Sequence, residues 1–315
     1  METIKTLLKA LPPLPNNTVF IIAGPTASGK SQFSLDLAKL INGVIINADS
    51  LQLYEDLPIL TAHPPAHDLK KIPHKLYGIL PSETRITAPI WAKLAHGEIQ
   101  KAFKAQKRPI LVGGTGFYLK VLMEGLDEIP QIPPEIREKG NQLIKEKGLS
   151  FLWENLKMKD PEILSHLSPN DTQRIQRAWE VYEFTHQPLS FWQNKNNLSK
   201  NQSSLSFFKI LFKPPRESLC KVIDQRATLM IEKGALKEVQ NLFTKGLSPS
   251  HPLRKAVGVS ELESYLEGTL SLEEARLKMS IKTRQYAKRQ TTWFAHQFNS
   301  DIIYPFLYDE ISKSF

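Results

Sequence analysis

Eight consecutive residues, Gly24, Pro25, Thr26, Ala27, Ser28, Gly29, Lys30 and Ser31, satisfy the pattern G-x-x-x-x-G-K-[ST] at every fixed position. The chemistry of that spacing is phosphate binding. The glycines let the backbone curl until successive N–H groups point at phosphate oxygens, and the start of the next helix adds the positive end of its dipole. Lys30 is placed to neutralise a terminal phosphate and the Ser31 hydroxyl to hold Mg2+. The loop defines a phosphate binder without naming the phosphate. Asp49, just after the apolar run 44–48, is the second chemical candidate. In parallel sheets ligands gather beyond the carboxyl ends of the strands, where Asp49 would handle an acceptor. The alternative is that it caps the following turn.

Positioning these groups needs strands that end beside one another. Residues 18–23 read as a buried strand feeding the loop, 30–41 as its helix, and 44–48 as a second strand. A further strand, 109–112, runs into Gly113, Gly114, Thr115 and Gly116 and then into a helical pattern reaching Leu122. Strand, glycine turn and helix in repetition predict an α/β fold, a P-loop NTPase-like parallel sheet core. From about residue 125 to 197 the strand pattern gives way to helical periodicity, which predicts an all-helical insertion domain. The expected organisation is therefore core (1–124), helical insertion (125–200) and core again (201–315), with 193–204 as a flexible polar connection. Leu205 to Leu211 returns to strand character, and two long helical patterns follow at 215–243 and 271–298.

Composition narrows the class. The chain has 315 residues, 41% hydrophobic and 23% charged, as a soluble globular protein of one or two cores would. Its single cysteine, Cys220, excludes an internal disulfide framework and points to a reducing, cytoplasmic setting. Lys5, Lys9 and Pro12, Pro13 and Pro15 make the start of the chain unlike a secretory signal, and no window approaches the length of a membrane span. The net charge of +9 suits a polyanionic partner. Residues 125–200, however, hold 10 Lys and Arg against 11 Asp and Glu, so any grip of the insertion on nucleic acid must come from local arginines.

An ATPase or GTPase with this loop carries an Asp after an apolar strand for Mg2+. Strand 109–112 ends in glycines instead, and no guanine-reading Asn-Lys-x-Asp is present, which disfavours a mechanochemical NTPase. The alternatives left open are a small-molecule or nucleotide kinase using ATP in the same loop, and an RNA-binding protein with a decayed loop. His63, His67 and His74 fall in a Pro-rich stretch without metal-ligand spacing and read as loop residues. Trp91, Phe103 and Phe117 read as core or pocket wall.

Five ordered blocks resemble one family, the tRNA dimethylallyltransferases or tRNA isopentenyltransferases. They are the loop 24–31; Asn47-Ala-Asp49-Ser50-Leu51-Gln52-Leu-Tyr54; Val112-Gly-Gly-Thr115-Gly-Phe-Tyr118; Asn170-Asp171-Thr-Gln173-Arg174-Ile175-Gln176-Arg177-Ala178-Trp-Glu180; and Thr283-Arg284-Gln285-Tyr286-Ala287-Lys288-Arg289-Gln290-Thr-Thr-Trp293-Phe294. The resemblance implies that dimethylallyl diphosphate occupies the loop and that the acceptor is N6 of the adenosine immediately 3′ of the anticodon in a tRNA anticodon stem-loop. It implies Asp49 as the base, Thr26 beside the attacking nitrogen, and Arg226 as a diphosphate ligand with Lys30. It further implies tRNA contacts from Asp49, Ser50, Leu51, Gln52, Thr115, Arg137 and Gln173 to Arg177, with Mg2+ as cofactor and a monomeric enzyme. The basic C-terminal set Lys282, Arg284, Lys288 and Arg289 either binds tRNA phosphates or leaves its cations solvated while Tyr286 and Trp293 pack inward. The chain departs from the family pattern at Leu60, His63, Val222, Val259 and Ser260.

Overall fold

The computed structural model describes residues 2–126, 129–197 and 205–308. Six parallel strands form one sheet in the order β3-β2-β4-β1-β5-β6. They are β1 (Thr18–Ala23), β2 (Gly43–Asn47), β3 (His74–Lys75), β4 (Arg108–Gly113), β5 (Ser206–Phe212) and β6 (Ile302–Tyr304). Every residue of β1 is buried, as a central parallel strand covered on both faces requires. The period of two divides its side chains. Val19, Ile21 and Ala23 join Ile46, Leu111 and Trp91 on one face, while Phe20 and Ile22 join Phe33, Ile45 and Phe212 on the other. Register brings the carboxyl ends together, with Ala23 opposite both Gly113 and Leu211, and Asn47 opposite Val112.

In the first half of the core, α1 (Glu2–Ala10), α2 (Lys30–Ile41), α3 (Ala66–Lys71), α4 (Ala88–Lys104) and α5 (Gly116–Glu124) connect or flank the strands. By contacts the chain divides into two compact units, Met1–Met123 with Ser203–Phe315, and Glu124–Gln202. The second unit is helical: α6 (Pro134–Lys147), α7 (Leu149–Lys159), α8 (Pro161–Leu164), α9 (Thr172–Thr185) and α10 (Leu189–Asn197). Its core gathers Leu152, Leu156, Ile175, Ala178, Trp179 and Leu189. Asp160, buried there, caps α8 through Ile163 N–H (3.2 Å) and accepts from Ser190 N–H (3.1 Å) and Ser190 Oγ (2.6 Å). A buried carboxylate so fully partnered is structural. The main core closes with α11 (Arg216–Glu232), α12 (Ala235–Thr244), α13 (Val259–Leu266) and α14 (Leu272–Gln297).

Several sequence expectations change. The pattern at 215–243 is two helices, because Gly234 takes φ 103° and turns the chain between α11 and α12. Residues 193–197 belong to α10 rather than to a connection, and 198–204 lie outside the described residues. The stretch read as a Pro-rich loop contains α3, which carries His67, and β3, which starts at His74. Its pairing with β2, helped by Ile45 N–H donating to Pro73 O (2.9 Å), is a tertiary event with no local signal. Trp91 is fully buried and Phe103 packs against the same core, but Phe117 is 53% exposed and lies outside that core.

Candidate active site

The phosphate loop occupies the turn from β1 into α2, between the carboxyl ends of β4 and β5. Gly29 caps α2 at φ 89°, and Ala27 takes φ 63°, a conformation that costs a non-glycine residue roughly 1–2 kcal/mol. Strain of this kind inside a loop built of N–H donors fits an anion nest. Lys30 is folded back on the loop, its Nζ donating to Pro25 O (2.5 Å) and Ser28 Oγ (3.3 Å). Ser31, in the first turn of α2, is exposed and lines a cavity of about 600 Å³ together with Gln32, Gln52, His63, His74 and Arg226. An exposed hydroxyl at a helix start fits Mg2+, a hard cation that takes most of its oxygens from substrate phosphate and water.

A smaller cavity of about 240 Å³ is lined by Thr26 and Ala27 of the loop, by Asp49 and Leu51, and by Arg226 of α11 with Tyr286 and Arg289 of α14. Arg226, Ala62 and Met230 line both cavities. The turn after β2 holds Asp49 in place. Its N–H donates to Asn47 Oδ1 (2.8 Å), its carbonyl accepts from Asn47 Nδ2 (2.9 Å), and its carboxylate accepts from Leu51 N–H (3.0 Å). Asn47 is itself fixed, because Trp91 Nε1 donates to its carbonyl (3.0 Å) and its amide donates to Leu76 O (2.9 Å). Burial raises the Asp49 carboxyl above the ordinary aspartate value; the Leu51 N–H, the Lys30 charge and the Gln52 N–H oppose the rise without cancelling it. The phenols of Tyr77, Tyr118 and Tyr286 are all pushed up by burial and by the Asp49 charge, that of Tyr118 to about 12. The phenols around Asp49 thus stay neutral, and its carboxylate shares the cavity with the cationic side chains of Arg226, Lys255 and Arg289.

Thr115 lies in the turn after β4. Its Oγ1 accepts from Ser50 N–H (3.0 Å) and its N–H donates to Ala48 O (3.3 Å), tying the β4 turn to the Asp49 turn. Gln52, at the wall of the larger cavity, is tied down. Its Nε2 donates to Thr61 O (2.7 Å) and Ala62 O (3.0 Å) and so holds the 57–63 segment. Of the C-terminal cations, Lys282 is paired with Glu261 and Arg284 with Asp224, whereas Arg289 lies 5.7 Å from the Tyr286 ring and lines the cavity. Trp293 is part-buried against the main core.

In the helical unit the expected contact residues converge more closely than their sequence separation suggested. Arg137 of α6 (Nε, 3.5 Å) and Arg177 of α9 (Nη1, 3.7 Å) share the buried carboxylate of Glu180, while Gln176 Nε2 donates to Arg137 O (3.4 Å) and Asn141 Oδ1 (2.9 Å). Arg174, exposed, pairs with Asp171 (3.5 Å), and Gln173 is also exposed. Ile175 is the correction in this set. Its side chain is fully buried in the unit's core, because α9 must turn one apolar stripe inward.

Sequence reasoning missed a role for Gln290, whose side chain bridges two turns of the site. A signal was present: on α14 the residues Ala287, Gln290 and Phe294 have the spacing of a core stripe, and a glutamine there must find partners.

Known proteins resemble this chain over most of its length. The IPP transferase family model matches residues 52–297. The tRNA dimethylallyltransferase of Rhodospirillum centenum is 44% identical over 279 residues, covering 89% of this chain and 88% of that one. That of Zymomonas mobilis is 43% identical over 295 residues, covering 93% and 92%. Among solved structures, the tRNA isopentenylpyrophosphate transferase of Bacillus halodurans aligns with TM-score 0.65 at 28% identity, over 94% of this chain and 93% of that chain. A eukaryotic dimethylallyltransferase acting on tRNA aligns with TM-score 0.74 at 29% identity, over 88% and 70%. With the phosphate loop, the Asp49 turn and the α14 block assembled in one fold, and with most of its length matched by the family model, this chain belongs to the IPP transferase family.

Proposed function

We propose that this protein transfers the dimethylallyl group of dimethylallyl diphosphate to N6 of the adenosine immediately 3′ of the anticodon in tRNA, with release of diphosphate. The observation that carries this reading is the one cavity that Thr26, Asp49, Arg226 and Arg289 line together, a carboxylate base between phosphate-binding groups. The loop N–H groups, Lys30 and Arg226 would bind the diphosphate and stabilise the charge that grows on it as the allylic C–O bond breaks. Ser31 would hold Mg2+, which supplies further charge neutralisation to the leaving group when bound. The N6 amine attacks the allylic carbon, and Asp49 takes the amine proton, a role usually worth ~10² to 10⁴ in rate. Its burial supports this, since a carboxylate raised in pKa is a better proton acceptor. Thr26, half-buried at the cavity edge, would orient the attacking nitrogen.

A stacked adenine cannot reach a buried allylic carbon, so the base must be flipped from its loop. Asp49 to Gln52 and Thr115 supply the turn nearest the flipped nucleotide, in which Gln52 acts by shaping the 57–63 segment. On the helical unit Gln173, Arg174, Gln176, Arg177 and Arg137 offer a polar surface to anticodon-stem phosphates. No helix among the described residues is long and apolar enough to cross a membrane. A tRNA substrate and a single thiol support a cytoplasmic site of action, and an asymmetric RNA substrate suits a monomer.

The test is mass spectrometry of an anticodon stem-loop incubated with the protein, Mg2+ and dimethylallyl diphosphate. The expected result is a gain of one dimethylallyl group on the target adenosine, lost when that base is guanosine. No gain, with ATP consumed at ordinary kinase rates instead, would replace this reading with a kinase.

A further inference from the structure

We propose that Gln290 is a positioning residue that couples the donor loop to the acceptor turn, an inference that rests on the transfer reading above. Its side chain is 6% exposed and satisfied at both ends: Oε1 accepts from Thr26 N–H at 2.8 Å, and Nε2 donates to Gly114 O at 3.0 Å. Thr26 lies in the loop after β1, and Gly114 lies in the turn after β4, immediately before Thr115. One amide from α14, 264 residues from Thr26, therefore sets the spacing between the loop and the turn that touches the Asp49 segment. A hydrogen-bonded amide of fixed length specifies that spacing in a way an apolar contact does not.

The fit around it is close. A Cβ added at Gly114 would lie 2.1 Å from Gln290 Nε2, and one at Gly116 would lie 2.1 Å from the Trp293 ring. Gly114 in the β4 turn and Gly116 at the start of α5 are thus shaped to receive α14, whose Tyr286 and Arg289 line the same cavity as Thr26 and Asp49. The bond also commits the Thr26 N–H to Gln290 and holds Thr26 at the cavity edge. Gln290 does not line the cavity, and its effect passes through its partners Thr26 and Gly114.

The experiment is a double-mutant cycle of Gln290→Met with Thr26→Val, reading kcat, donor KM, tRNA Kd and thermal unfolding. The expectation is a kcat loss of tenfold or more for Gln290→Met with tRNA Kd within twofold, and little further loss when it is added to Thr26→Val. A Gln290→Met enzyme within twofold of wild-type kcat, or fully additive losses, would overturn the coupling. Should Gln290→Met not fold, Gln290→Asn, polar but too short to span both partners, is read by the same criteria. Failure of the transfer reading is seen separately, as absence of product with the wild-type protein. In that event the positioning claim stands on titration with inorganic diphosphate and Mg2+, for which Gln290→Met should raise Kd at least fivefold; an unchanged Kd would overturn it.

Discussion

Two carboxylates of the main unit, half-buried Asp49 and buried Glu261, end in opposite electrostatic states. Burial raises both, but Glu261 gains enough partners to fall below its ordinary value: Lys282 and Ser260 bond its side chain, and Gly258 N–H donates to it at 2.9 Å at the start of α13. Asp49 has the Leu51 and Gln52 N–H groups and feels Lys30 through space, and the balance stays on the raised side. The difference separates a carboxylate that closes a structure from one kept basic in front of a cavity. A well-partnered acid holds a proton less tightly than usual, whereas a desolvated and incompletely neutralised one holds it more tightly.

The largest effect expected from breaking this contrast is at Asp49 itself. Asp49→Ala should lower kcat by ~10² to 10⁴ with tRNA affinity nearly unchanged, and an enzyme keeping most of its rate would remove Asp49 from the base role. Because folding disfavours the ionised Asp49, Asp49→Asn should also unfold at a higher temperature than wild type at neutral pH, a trade visible by calorimetry. Lys30→Ala should nearly abolish donor use; unchanged kcat and donor KM would contradict the phosphate-loop assignment.

The pH dependence follows the same signs. In the proposed transfer Asp49 acts as the ionised base, so kcat should fall as pH falls through a limb lying above the ordinary aspartate value of 3.8. Glu261 runs the other way, with a folded pKa below its ordinary 4.5. Its contribution to stability is present above the unfolded value and is lost as pH falls through the folded one. Glu261→Gln should therefore cost about 1–3 kcal/mol at neutral pH, much less below pH 4.5, and leave kcat within a few fold. The smallest effect is expected on the helical unit. Arg174→Ala with Arg177→Ala should weaken tRNA binding roughly tenfold and flatten its salt dependence, and normal affinity across salt would return both arginines to a solvated helix face.

The phosphate loop, the strands at 18–23 and 44–48 and the helix at 30–41 were legible because each is a contiguous pattern whose conformation is dictated by neighbours in sequence. Asp49 was legible as a strand-end carboxylate, but its basicity was not, since that depends on burial and on tyrosines from β3, α5 and α14 surroundings. Ile175 sat inside a motif of contact residues and only packing showed which side of α9 it faces. Phe117 carried the same apolar signal as Trp91, and only the fold sent one to solvent and the other to the core.

The sequence by itself determined the G-x-x-x-x-G-K-[ST] loop at residues 24–31, the parallel α/β core and the blocks of the family to which the chain belongs. Tertiary structure alone decided that β3 and β6 extend the sheet, that Arg137 and Arg177 meet on Glu180, and that Gln290 bridges Thr26 to Gly114. The physical reason is range: helix, turn and strand preferences act over a few residues, whereas a buried carboxylate or amide takes its properties from partners brought to it across the whole chain.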